Sequence, residues 1–97
     1  MFKISPGVAE KLRTRHSVTS DEIAECFANR TGKFFEDTRA GNITNPPTYW
    51  FVADTDTGRK LKVVFVRHVD YFAIKTAYEP TDGSDTLYLE LCERHAG

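Results

Sequence analysis

The spacing of apolar residues changes once along this chain, at Gly32, and that change limits the folds open to it. Before Gly32 the spacing is helical. Ser5-Pro6 reads as an N-cap followed by proline at the first helical position, where a missing N–H costs nothing. Val8 and Leu12, four apart, share one helical face. His16 to Ser20 interrupts the pattern, and Thr19 with Glu22 then forms a capping box. Ile23, Cys26 and Phe27 give the second helix its apolar stripe, and Asn29-Arg30-Thr31-Gly32 ends it.

After Gly32 the residues alternate as in strands. Lys33–Asp37, Thr48–Thr55, Lys60–Arg67 and Tyr71–Thr76 are the expected strands, with Lys60–Arg67 the strongest and Phe2–Ile4 a short extra one. Ala40 to Pro47, with two Pro, two Asn and Gly41, is a loop, and Asp56-Thr57-Gly58 is a turn. Pro80 to Ser84 is a further break. From Asp85 to Glu93, Leu87, Leu89 and Leu91 alternate like a strand, the reading preferred here. Leu87 with Leu91 and Tyr88 with Cys92 also fit a helix. The expected fold is α+β, with two N-terminal helices packed on a four- to five-stranded antiparallel sheet. Its 97 residues fill one core, so residues 1–97 form a single domain, with 81–97 an added strand or a loosely held tail.

Composition excludes several classes. Hydrophobic residues at 40% suffice for a packed core, yet no apolar run approaches the roughly 20 residues that span a bilayer, and no secretory leader is expected. Two cysteines, Cys26 and Cys92, make no disulfide framework, so a reduced, cytoplasmic protein is expected. No metal-ligand spacing, phosphate-cradling glycine loop or Ser/His/Asp arrangement is present, and neither metal nor cofactor is expected. Net charge is −1, but the charges are segregated. Arg59 to Lys75 carries five positive residues and one negative, whereas Glu79 to Glu93 carries five negative and none positive.

Pairing Thr55 with Lys60 and His68 with Tyr71 fixes a register. One face then reads Trp50, Val52, Leu61, Val63, Phe65, Phe72 and Ile74, a wall for the helices. The other carries Tyr49, Phe51, Lys60, Lys62, Val64, Tyr71 and Lys75. Aromatic rings interleaved with cations suit single-stranded nucleic acid, bases stacking on rings while ammonium groups meet phosphates. Tyr49, Phe51, Lys60, Tyr71 and Lys75 are the candidate contacts. A slip of one residue dismantles the cluster.

Several motifs stand in order along about four-fifths of the chain. Pro6, Leu12, His16-Ser17-Val18-Thr19 and Glu22 come first, then Gly58-Arg59-Lys60-Leu61-Lys62-Val63-Val64, then Ile74-Lys75-Thr76-Ala77-Tyr78. The set resembles the BrnT-like toxins, in which a helix leads into a His-Gly-Val-Ser/Thr turn and a second helix. Pro46-Pro47-Thr48, Trp50-Phe51, Gly58 to Phe65 and Lys75 to Pro80 also resemble a set of small bacterial proteins. Some of those are labelled ADP-ribosyl hydrolases acting on dinitrogen reductase; the acidic metal site of the large helical hydrolases has no counterpart here. The BrnT-like resemblance implies a RelE-like fold and a metal-independent ribonuclease toxin of a type II toxin–antitoxin pair, with RNA on its concave sheet and an antitoxin protein as partner. The family's arginine after Ser/Thr-Ala is Tyr78 here, and its basic terminal helix is the acidic segment Thr81–Glu93.

RNA cleavage without a metal needs a base for the 2′-hydroxyl, a cation at the phosphate and an acid for the leaving oxygen. Arg59 and Lys62 are the expected cations, and Tyr78 or Glu79 the acid or base. His16 titrates in the right range but sits in a turn, where a structural hydrogen bond is the expected role. His68 and His95 have no visible partner, and Glu36, Asp37 and Arg39 read as surface charges. The leading expectation is therefore a toxin-like ribonuclease. The alternative is a non-catalytic binding or inhibitor module on the same scaffold, engaging a protein or nucleic-acid partner. The nuclease reading requires the lysines and tyrosines to share an uncovered side of the sheet.

Overall fold

In a computed structural model, residues 1–38 and 46–94 are described. A five-stranded sheet in the order β1-β5-β4-β3-β2 forms the centre. Its strands are β1 (Phe2–Lys3), β2 (Phe35–Glu36), β3 (Thr48–Asp54), β4 (Lys60–Arg67) and β5 (Phe72–Tyr78). The helices are α1 (Pro6–Lys11), α2 (Ser20–Asn29) and α3 (Ser84–Arg94). The sheet is mixed, because β1, the first strand in the chain, pairs parallel with β5, the last. The expected all-antiparallel sheet is corrected on that point.

Local signals act as their chemistry dictates. Ser5 Oγ accepts from the Val8 N–H and Pro6 opens α1, which runs into a single π-helical turn, Leu12–His16. Ser17 then takes a left-handed conformation, φ 53, and reverses the chain into α2. Both arms of the Thr19–Glu22 capping box are formed. The far end of α2 is tied to the β3–β4 turn: Asn29 Nδ2 donates to the Asp54 carbonyl and the Asp56 carboxylate, and Glu25 accepts from the Asp56 N–H.

The β3–β4 turn sets the register. Thr55 N–H donates to the Arg59 carbonyl and Gly58, at φ 86, closes a three-residue loop of Asp56, Thr57 and Gly58. Asp54, not Thr55, therefore faces Lys60, and the expected pairing is off by one. Every β3 side chain changes face as a result. Tyr49, Phe51 and Ala53 join Leu61, Val63 and Phe65 toward α2, while Trp50 and Val52 join Lys62 and Val64 on the other side. The expected His68–Tyr71 closure of the β4–β5 turn is present, the His68 N–H donating to the Tyr71 carbonyl. Between Val64 and Phe65 the β4–β5 ladder shifts by one, leaving Lys75 as the extra residue of a bulge on β5.

The α2 side of the sheet is a phenylalanine core. The Phe27 ring lies 4.8 Å from Phe51, 5.4 Å from Phe2 and 5.8 Å from both Phe65 and Phe72. Phe34 closes it from below, 4.9 Å from Phe65. Each such pair adds roughly 0.5–1.5 kcal/mol to the area burial.

The other side is covered by α3, so residues 84–94 form neither a strand nor a loose tail. Tyr88 is 5% exposed, its ring 5.6 Å from Trp50 and 5.5 Å from Phe35, and its hydroxyl donates to the Lys33 carbonyl at 2.7 Å. Two layers of helix thus enclose one sheet. No helix among the described residues is long and apolar enough to cross a membrane.

Candidate functional site

Four candidate catalytic side chains gather at the end of the sheet where β4 begins and β5 finishes. Arg59 follows the tight turn, and the left-handed Ser17 turns two carbonyls toward it. Its Nε donates to Glu79 at 2.7 Å, Nη1 to Glu22 at 3.0 Å and the Ser17 carbonyl at 2.8 Å, and Nη2 to the His16 carbonyl at 2.8 Å. The hydrogen bond it donates to Glu79, with Glu22 behind it, holds the guanidinium still more firmly protonated than usual. Four of its five N–H groups are thereby engaged within the fold. Arg59 is a knot joining the α1–α2 connection, α2, β4 and the end of β5.

Lys62 lies one step into β4, on the α3 side. It is 3% exposed, donates to Ser84 Oγ at 3.0 Å, stands 4.7 Å over the Trp50 ring and lies 4.0 Å from Asp82. Asp82 accepts from both the Ser84 hydroxyl and the Ser84 N–H, and these bonds hold its carboxyl below the usual range. Tyr78 pairs with Lys62 across the strands, and its hydroxyl is 3.4 Å from Asp82. Lys62 is thus built into the seat of α3 and nearly covered by it.

Tyr78 also meets His16, the two rings 5.8 Å apart. Together with Arg15, Ser17, Arg59, Glu79 and Thr81 they line an open cleft of about 380 Å³. The expected role of His16 is a structural hydrogen bond to a backbone group; instead its own carbonyl accepts from Arg59, and the residue lines the cleft. Arg15 was not singled out in the sequence. Its signal was the run of cations Lys11, Arg13, Arg15 and His16 at the end of the first helix.

The candidate nucleic-acid contacts do not share a face. Phe51 is fully buried under α2. Tyr49 is half-buried against Phe65 on that same side, with the Arg67 guanidinium 5.2 Å over its ring. Lys60 lies across the sheet, opposite Asp54. Tyr71 stacks on His68 at 4.6 Å and carries Lys3 4.3 Å over its ring. Lys75 shares a shallow depression with Lys3, Val8 and Tyr71. Tyr71 directly precedes β5 and Tyr78 ends it, so the Tyr71 end and the His16 cleft are separated by roughly 20 Å at ~3.3 Å per residue. The expected open basic-aromatic face is corrected on two grounds: register turned Tyr49 and Phe51 inward, and α3 covers Lys62.

Burial pushes the Cys26 thiol up to about 12, aided by Asp54 and Glu22, so it stays protonated as core packing. Among the described residues, no group of three or more His, Cys, Asp or Glu side chains is placed to hold a metal ion. No protein-family model, curated protein or solved structure matches this chain.

Proposed function

We propose that this chain is a non-catalytic binding module on a scaffold of the RelE/BrnT type, engaging a partner protein at its surface. The observation that carries this reading is the engagement of both candidate phosphate-binding cations inside the fold. Arg59 is held by two carboxylates and two carbonyls, and Lys62 by Ser84, Trp50 and the start of α3. A cation already paired within the protein has little to gain from a scissile phosphate, and releasing it unpairs a carboxylate.

A second reading is supported by the cleft. His16 and Tyr78 lie side by side, Glu79 is 59% exposed in its side chain, and Arg15 stands at the rim. On that reading the chain is a toxin-like, metal-independent endoribonuclease. Glu79 or His16 takes the 2′-hydroxyl proton, Tyr78 or His16 returns one to the leaving oxygen, and an antitoxin covers the cleft.

One experiment separates them. The wild-type chain is expressed without a partner while growth and total RNA integrity are followed, and the purified chain is incubated with labelled single-stranded RNA. The binding-module reading expects normal growth and intact RNA. Growth arrest with RNA decay, relieved by Tyr78→Phe combined with His16→Gln in a chain of unchanged circular dichroism, overturns it in favour of the nuclease.

A further inference from the structure

We propose that the groove between α3 and the β3 edge near α2 is the docking site for a basic amphipathic helix of another protein. The inference rests on the binding-module reading and names its partner class. Two features of α3 lead to it. Its inward positions are Ser84 and Tyr88, with Leu91 and Cys92 partly covered, so the remaining leucines face outward. Leu89 is 61% exposed and Leu87 43%, an unusual outlay of apolar surface on one short helix.

Asp85, Leu89 and Glu93 recur every four residues and so form one row about 12 Å long on the helix surface. That row borders a groove of about 380 Å³ whose walls include Val52, Ala53, Asp54, Lys60, Asp85 and Leu89. The groove offers an apolar floor and an acidic rim, room for an apolar side chain with the stem of a lysine or arginine alongside.

Charge decides the occupant. From Glu79 to Glu93 there are five acidic residues and no basic one. Among the described residues Lys60 is the one cation on the groove wall, and it sits across the strands from Asp54. No cation among the described residues pairs with Asp85, Glu90 or Glu93. A polyanion such as RNA is repelled by this surface, and an acidic protein likewise. Cations eight apart on a partner helix match the spacing of Asp85 and Glu93, with an apolar residue midway between them meeting Leu89.

The probes are two synthetic helix-forming peptides with identical leucines, one carrying Lys and the other Glu at the flanking positions, and a single-stranded RNA oligomer. Binding to the full chain is followed by fluorescence anisotropy. The Lys peptide is expected to bind, more weakly as salt rises, with the Glu peptide about tenfold weaker or worse and no RNA bound. Asp85→Lys with Glu93→Lys, and separately Leu89→Asp, are each expected to weaken the Lys peptide by about tenfold at unchanged circular dichroism. Equal binding of both peptides, binding of neither, RNA bound in their place, or indifference to the α3 variants overturns the docking site. These outcomes leave the binding-module reading standing if expression is harmless and RNA stays intact; RNA cleavage brings down that reading by itself.

Discussion

Glu22 serves two structures at once. It completes the capping box by accepting from the Thr19 N–H, and it accepts from Arg59. Partial burial opposes its ionisation, but the Thr19 backbone hydrogen bond and the Arg59 guanidinium outweigh it and leave its carboxyl below the ordinary 4.5. A carboxyl lowered by folding stabilises the protein above its unfolded value, and that contribution is lost as pH falls through the lowered one. Glu22→Gln is therefore expected to cost about 1 kcal/mol at neutral pH and to flatten the fall in stability below about pH 4.5. Urea unfolding of both chains across the acid range checks this; parallel curves would refute it. Ser17 offers the opposite case. Its φ of 53 strains a residue with a Cβ. Ser17→Gly relieves the strain while loosening the unfolded chain, for a net gain of about 0.5 kcal/mol and ~2–4 °C in Tm. A lower Tm would show that the side chain matters more than the backbone.

Among the elements, α3 owes its place to Tyr88. That ring fills the space over Trp50 and Phe35, and its hydroxyl satisfies the Lys33 carbonyl. Tyr88→Ala is expected to cost about 3–5 kcal/mol, and Tyr88→Phe about 1 kcal/mol, by chemical denaturation. A loss below 1 kcal/mol for the alanine variant would mean that α3 is not a packed part of the fold. The sequence favoured a strand here because Leu87, Leu89 and Leu91 alternate. In the helix Leu87 and Leu89 fall on opposite flanks, and Tyr88 between them faces the sheet. A helix with leucines on both flanks carries a weak helical period, and that is the physical source of the misreading. By contrast, β4 occupies the Lys60–Arg67 span expected from its β-branched run, and α2 carries the capping box expected of Thr19 and Glu22.

At the scale of the whole molecule the charges are sorted. Arg67 rides on Tyr49 and Lys3 on Tyr71 around the β4–β5 turn, while Asp85, Glu90 and Glu93 lie along α3. The gathering of Arg59, Tyr78 and Glu79 was legible through the order of the motifs; their pairing with Glu22 and the His16 carbonyl was not, since those partners lie 37 to 43 residues away. Phe51 shows the same limit from the other side. Its neighbours mark it as a strand residue without saying which face it takes.

Caps, turn positions and the rough places of β1 to β5 were legible in the sequence alone, because each depends on groups within about four residues of one another. Which side chains are interior was decided by tertiary structure. A three-residue turn in place of a four-residue one inverted β3, and the burial of Tyr88 brought α3 down over Lys62. Both choices are settled by the apolar surface that distant segments remove from water together, a quantity no local stretch of the chain contains.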